Sequence, residues 1–330
     1  VQTKYLTFCD QHLVQAGQLI REGQLVAFPT ETVYGLGANA WDEQAVLSTF
    51  QAKGRPSDNP LIVHIWDKGQ IPQIASSISD MAQKVIDQLM PAPLTIVLPK
   101  QPTISNVITA GLDTVAIRMP MSKQARDFLQ ACQVPVTAPS ANTSSRPSPT
   151  NWQRVAEDMD GKIAAVLCGD ACQVGIESTV LDLSTDTPRI LRPGMVSPQQ
   201  IAAVIGQPVQ VITNPKDKVN SPGVRYKHYA PKVPMALNLD GDKQKIADFY
   251  NQLVALGHNP VLLVADTNQY PGFNCHPIGK TNQQVAHNLF ENLRLLENNY
   301  TYIIASFVGT GPLADSILNR LTKSAGNNIL

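Results

Sequence analysis

Lys53 and Arg55 stand two apart where a helical pattern runs out, in Lys53-Gly54-Arg55-Pro56-Ser57-Asp58-Asn59-Pro60. A lysine is a compact point charge and an arginine a planar fork, and with the Asn59 amide in reach they can clamp phosphate oxygens. The same cations also suit the carbonyl end of any helix, so the clamp and the plain helix terminus both stay open. His64 lies inside the apolar run Leu61–Ile65, either as a core residue or as a ligand contact. Arg118 closes the run Val115–Arg118, either reaching solvent or forking a carboxylate. Ser140 and Asn142 follow the run Val134–Ala138 and can present polar tips into a cleft, although Ser and Asn are common in any turn. Glu177-Ser178-Thr179 opens a run and Arg192-Pro193-Gly194 ends one. There is no G-x-x-x-x-G-K-[ST], no G-x-S-x-G elbow and no H-E-x-x-H, so nothing singles out a P-loop, a serine nucleophile or a zinc hydrolase.

These residues need a scaffold that brings strand ends together, and the chain alternates strands with helices throughout. Its centre is Phe28-Pro29-Thr30-Glu31-Thr32-Val33-Tyr34-Gly35-Leu36-Gly37-Ala38-Asn39-Ala40. The run Gln24–Phe28 reads as a strand stopped by proline. Three hydroxyls follow, then two glycines expected to turn the backbone tightly beside a ligand, and a helix from about Asp42. Gly35-Leu36-Gly37-Ala38-Asn39-Ala40 matches the dinucleotide pattern G-x-G-x-x-G/A, but its glycines stand six residues beyond the strand rather than at its end. Gly309-Thr310-Gly311-Pro312-Leu313-Ala314 repeats the pattern too near the end of the chain for a ribose-binding acid.

Upstream, Asp10 is expected to cap a helix over residues 11–22. Downstream, helices are expected near 79–90 and 123–132, strands at 94–98, 163–167, 179–183 and 189–191, and a short helix from Ser197. The Ser/Pro-rich tract 139–150 reads as loop. Residues 207–231 carry four prolines and read as a connector, although Ser221 to Pro231 is too aromatic and basic for an inert spacer. Strands at 233–239, 261–265 and 302–308, with helices at 242–256, 282–297 and 312–324, then predict a small parallel sheet.

Lys+Arg and Asp+Glu are both 26 among 330 residues, so there is no global attraction to nucleic acid and any polyanion site must be local. The five cysteines are odd in number and scattered, which fits a reducing compartment and buried thiols rather than a disulfide framework. Cys168 and Cys172 make a C-x3-C with no second pair at zinc spacing. No run approaches membrane-span length, and the composition reads as a soluble, cytoplasmic protein.

In order along the chain, Phe28 to Leu36, Lys53-Gly54-Arg55-Pro56, Asn59 to His64, Pro93-Leu94-Thr95 and Ile117-Arg118 resemble the YrdC-like family. So do Pro139-Ser140-Ala141-Asn142, Glu177-Ser178-Thr179, Leu191-Arg192-Pro193-Gly194, Ser221-Pro222-Gly223 and His228-Tyr229-Ala230-Pro231. The resemblance is to the long, two-domain members, the L-threonylcarbamoyladenylate synthases, and it spans nearly the whole chain; the C-terminal hundred residues match in layout.

The resemblance implies a twisted, mixed, open α/β sheet as catalytic domain over 1–206, a connector folding over the active site at 207–231, and a Rossmann-like parallel-sheet domain over 232–330. It implies a nucleotidyltransferase that joins L-threonine, bicarbonate and ATP into threonylcarbamoyl-AMP and pyrophosphate. A downstream transferase then modifies position 37 of ANN-decoding tRNAs; direct RNA contact is compatible with this but not required.

By the family pattern Lys53, Arg55, Ser140 and Asn142 form the catalytic quartet. Arg55, Asn59, Thr114, Ser140, Ser148, Arg192 and Tyr229 contact ATP. Thr32, His64, Arg118, the backbone at Ala138, and Ser178 hold threonine, and Thr30 and Tyr34 line the pocket. Mg2+ is expected on the ATP phosphates, with no protein side chain as ligand. Attacker and phosphate are both anionic, so catalysis is mainly positioning and charge neutralisation, and no general base is identified. The rival reading is a non-catalytic ATP- or RNA-binding module, against which the neutral charge balance argues.

Overall fold

The computed structural model describes residues 2–212 and 228–330. The connector stretches Ser221-Pro222-Gly223 and Val224-Arg225-Tyr226-Lys227 lie outside the described residues. The chain divides into two compact units, Val1–Ser144 with Pro149–Arg225 and Ser145–Ser148 with Tyr226–Leu330.

The first unit is built on one mixed sheet. Its strands are β1 (Lys4–Thr7), β2 (Val26–Phe28), β3 (Gly35–Asn39), β4 (Ile62–His64), β5 (Leu94–Pro99), β6 (Thr114–Arg118), β7 (Val136–Thr137), β8 (Ala165–Cys168), β9 (Thr179–Asp182), β10 (Arg189–Arg192) and β11 (Gln210–Val211). They lie in the order β1-β8-β2-β3-β7-β4-β6-β5-β9-β10-β11. Directly paired residues share a face, and successive residues alternate faces. On one face Val63, Leu94, Ile96, Ile117 and Leu181 join a large core with the helices Glu43–Lys53, Asp80–Leu89 and Pro198–Ile205. The opposite face carries the smaller cluster Ile62, Val97, Ala116, Val180, Leu191 and Ile212.

The twin glycines behave differently from the sequence expectation. Gly35 and Gly37 do not turn the chain; they lie in β3, which pairs antiparallel with β2 through Phe28↔Gly35 and Val26↔Gly37. The turn is the segment 29–34 that joins the two strands. What the glycines supply is closeness. A Cβ on Gly35 would stand 3.1 Å from the Ala138 Cβ and 3.2 Å from the Phe28 ring, and one on Gly37 would stand 3.0 Å from the Val26 carbonyl oxygen.

Asp10 is the first helical residue rather than the cap; Cys9 holds the cap position without a side-chain bond. Cys9 is also exposed, whereas Cys132 and Cys172 are buried. The sequence reading missed β1, β3, the helix Trp152–Met159 and the strand Cys275–Pro277. That helix begins at an Asn151 cap immediately after the proline tract, which masks its start.

The second unit holds β12 (Met235–Asn238), β13 (Pro260–Val264), β14 (Cys275–Pro277) and β15 (Tyr302–Ser306) in the order β12-β15-β13-β14, all parallel. The helices Lys243–Ala255, Asn282–Leu296 and Pro312–Ser324 connect and close it.

Candidate active site

Across the middle of the first sheet, register aligns side chains that lie far apart in sequence. His64 on β4 pairs with Arg118 on β6, and Arg118 pairs with Thr95 on β5. The three therefore form a row on the face that also carries the Ile62–Ala116–Val97 patch. Ser178, just before β9, joins the row through a 2.8 Å hydroxyl contact with Thr95. Arg192, at the end of β10, donates from Nε to the Ser178 carbonyl at 3.1 Å and from Nη2 to the Ser178 Oγ at 3.2 Å.

Gly194 makes this corner possible. A Cβ there would fall 2.3 Å from the Thr179 amide nitrogen and 2.7 Å from the Ser178 carbonyl carbon.

His64, Thr95, Arg118, Ser178 and Arg192 are all buried. Desolvation, and secondarily the Arg118 charge, pushes the His64 imidazole down to about 3, so the ring is neutral near pH 7. Its Nδ1 faces the Ile62 carbonyl at 3.2 Å. Arg118 Nη2 donates to Glu31 Oε1 at 2.7 Å, a fully internal ion pair.

The turn 29–34 is wound on the Thr30 side chain, whose Oγ1 donates to the Val33 carbonyl at 2.7 Å and lies 2.9 Å from the Thr32 hydroxyl. Thr32 is fully buried. Tyr34 extends its hydroxyl to the Gly169 carbonyl at 3.1 Å and accepts from the Gly169 amide at 3.2 Å. Burial, with Cys172 beside it, raises its phenol well above the usual range. Burial likewise pushes the Cys172 thiol up to about 12. Tyr34 thus ties the turn to the 169–172 segment.

Lys53 ends a helix that Asp42 caps and Gly54 closes at φ 59°. Its buried ammonium donates to the backbone carbonyls of Ser140 and Asn142, so it organises the segment after β7 as well as carrying charge. Ser140 also bridges to Gly35, and Asn142 donates to the Thr143 carbonyl at 2.8 Å. Arg55 reaches back along Asn59 and Pro60, with Nη2 3.4 Å from each carbonyl oxygen. Thr114 begins β6 on the same face as Arg118, and the Ala138 amide donates to the Ile62 carbonyl at 2.9 Å.

Thr30 and Glu31 also border a cavity of about 250 Å³ with Ser122, Gln124 and Gln173, which Thr32, His64, Arg118, Ala138 and Ser178 do not line. Ser148 and Tyr229 belong to the second unit. There Tyr229, at φ 64°, stacks on Phe290 with ring centroids 5.0 Å apart, and the Lys323 ammonium lies 5.9 Å from its ring. Within the same unit Arg146 forks onto Glu297, and Arg294 donates to the Pro147 carbonyl from Nε at 3.0 Å and from Nη2 at 2.7 Å.

Two residues at the site stood within quoted motifs but were given no role: Thr95 in the row and Glu31 in the turn. Thr95 alternates with Leu94 and Ile96, a period-2 signal that places it on the opposite face from the core. Glu31 is the single acid of a hydroxyl-rich turn, a signal visible in the sequence but without a partner until Arg118 is placed.

The Sua5/YciO/YrdC family model, described as telomere recombination, matches residues 18–194. The chain belongs to that family. A second model, described as the threonylcarbamoyl-AMP synthase C-terminal domain, matches residues 196–326. The chain is 41% identical to the threonylcarbamoyl-AMP synthase of Pyrococcus abyssi over 96% of its own length and 94% of that protein's. It is 41% identical to the Bacillus subtilis enzyme of the same name, over 99% and 97%. A crystal structure of Pyrococcus abyssi Sua5 complexed with L-threonine superposes at a TM-score of 0.93 with 38% identity, covering 100% of this chain and 99% of that one. The two-part layout seen here, a large mixed sheet and a small parallel one, is shared with that Pyrococcus abyssi structure. Among the described residues no helix is long and apolar enough to cross a membrane.

Proposed function

We propose that the protein is a threonylcarbamoyl-AMP synthase, joining L-threonine, bicarbonate and ATP with release of pyrophosphate. The observation that carries this reading is the match of the whole chain to a relative's structure complexed with L-threonine, with His64, Arg118, Thr95 and Ser178 aligned in one buried row.

Threonine's carboxylate pairs with the Arg118 guanidinium, and its polar atoms meet Thr32, the neutral His64 and Ser178, with the Ala138 backbone beside them. The amine captures bicarbonate, losing water to form a carbamate. A carbamate oxygen attacks the α-phosphorus, and the bond to the pyrophosphate oxygen breaks. Arg55 and Lys53 neutralise the triphosphate, supported by Asn59, Thr114, Ser140, Asn142 and Arg192. The family pattern also assigns Ser148 and Tyr229 to the nucleotide.

The groups assigned to the phosphates are cations, hydroxyls and amides, a donor set that fits phosphate oxygens rather than a metal ion. Mg2+, expected with the ATP phosphates, would add further charge neutralisation there. The product is a mixed carbamic–phosphoric anhydride, which suits transfer to the position 37 adenosine of ANN-decoding tRNAs by a partner transferase in the cytoplasm.

The test is pyrophosphate release from ATP by purified protein with Mg2+, omitting threonine or bicarbonate in turn. Release that needs both is expected. ATP binding with no threonine-dependent turnover would move the protein to a non-catalytic nucleotide-binding role.

A further inference from the structure

The Arg118 Nε is buried and has no hydrogen-bond partner, although Nη2 of the same guanidinium is held by Glu31. Native interiors leave few such donors, and each calls for an acceptor. Arg118 has its base fixed in β6 between His64 and Thr95. The guanidinium at the end of its long side chain still has to be oriented by something else.

Glu31 is built for that task. Its carbonyl accepts from the Val174 amide at 2.8 Å, and its Oε2 lies 3.4 Å from the Ser122 amide. The Thr30 Oγ1 accepts from the Thr32 and Val33 amides at 3.1 and 3.3 Å, which stiffens the turn around it. The Arg118 and Glu31 side chains are only 5% and 2% exposed, so the pair is also a buried charge balanced by its opposite.

We infer that Glu31 is a positioning residue for the amino-acid substrate: by holding Nη2 it turns the Arg118 guanidinium so that the Nε edge meets the substrate carboxylate. This deepens the threonine assignment of Arg118 and rests on that reading. A merely structural Glu31 would neutralise Arg118 and stabilise the sheet without favouring one substrate over the other.

The experiment uses the full-length protein and measures KM for threonine and for ATP, kcat, and threonine Kd by calorimetry. Glu31→Ala is expected to raise threonine KM and Kd by about tenfold or more, the worth of one charge-assisted hydrogen bond, with ATP KM within about twofold of wild type. Glu31→Gln, which keeps an acceptor for Nη2, is expected to recover most of the loss. In an Arg118→Ala background Glu31→Ala is expected to add little, because both act through one guanidinium. Equal losses for ATP and threonine, or full additivity with Arg118→Ala, would overturn the inference.

Should Glu31→Ala fail to fold, Glu31→Asp decides, since it keeps the charge and withdraws the carboxylate by one methylene. A threonine Kd raised at least about threefold then supports the inference, and an unchanged one overturns it. Wild-type protein that binds threonine but releases no pyrophosphate would overturn the adenylation reading alone, and the Kd series would still test Glu31.

Discussion

At Arg118 three facts meet: a strand register that fixes its base, a carboxylate on one donor, and a buried donor left over. Arg118→Ala is expected to raise threonine KM by about tenfold to a hundredfold, the usual range for a hydrogen bond to a charged group, with little change for ATP. An effect confined to ATP in steady-state kinetics would exchange the two halves of the pocket. Arg55→Ala is expected to abolish pyrophosphate release while leaving the circular dichroism and thermal transition near wild type; retained activity would remove Arg55 from the phosphate clamp.

His64 supplies a pH signature. Its folded value of about 3 lies below the ordinary 6.5, so between those pH values the unfolded chain binds the extra proton. Its contribution is fully present above pH 6.5 and is lost as pH falls towards 3, by about 1.4 kcal/mol per pH unit. Denaturant unfolding of His64→Gln between pH 6.5 and 4 is expected to show a correspondingly flatter dependence than wild type. Equal slopes would mean that His64 is not held neutral.

At the scale of elements, glycine positions show how the strands and loops approach one another. Gly194 lets the segment after β10 lie against the start of β9, where an added methyl would strike backbone atoms rather than a yielding side chain. Gly194→Ala is therefore expected to destabilise the protein by about 1–3 kcal/mol. Because the displaced atoms belong to Ser178 and Thr179, it is also expected to raise threonine KM; a normal transition midpoint and KM would show that the corner can yield. The same logic explains β3. Two glycines in a polar context look like a turn because local sequence reports conformational freedom, whereas β3 uses their missing Cβ for packing against Phe28, Ala138 and the β2 backbone. That requirement comes from neighbouring elements and leaves no mark in a window around residue 35.

Across the whole molecule, the sheet of the first unit interleaves strands from widely separated parts of the sequence, with β7 between β3 and β4 and β8 between β1 and β2. This is how Lys53 comes to hold the carbonyls of Ser140 and Asn142. All eleven of these strands precede residue 212, so a chain cut near Asn220 retains the complete sheet. Such a fragment is expected to unfold cooperatively yet turn over poorly, as the nucleotide role proposed for Tyr229 requires. Full activity in the pyrophosphate assay would reduce the connector to a tether.

The sequence by itself determined the alternation of strands and helices, the two-part α/β layout, and the polar groups that border the apolar runs. These depend on local periodicity, on caps such as Ser197, and on motifs whose residues are near neighbours. Only the tertiary structure decided which polar atoms meet. It paired Arg118 with Glu31, joined Thr95 to Ser178, set Lys53 on two carbonyls and placed Gly35 and Gly37 in a strand. The physical reason is that a buried donor takes whichever acceptor the strand register brings within about 3 Å, and that register is set by the packing of the entire sheet.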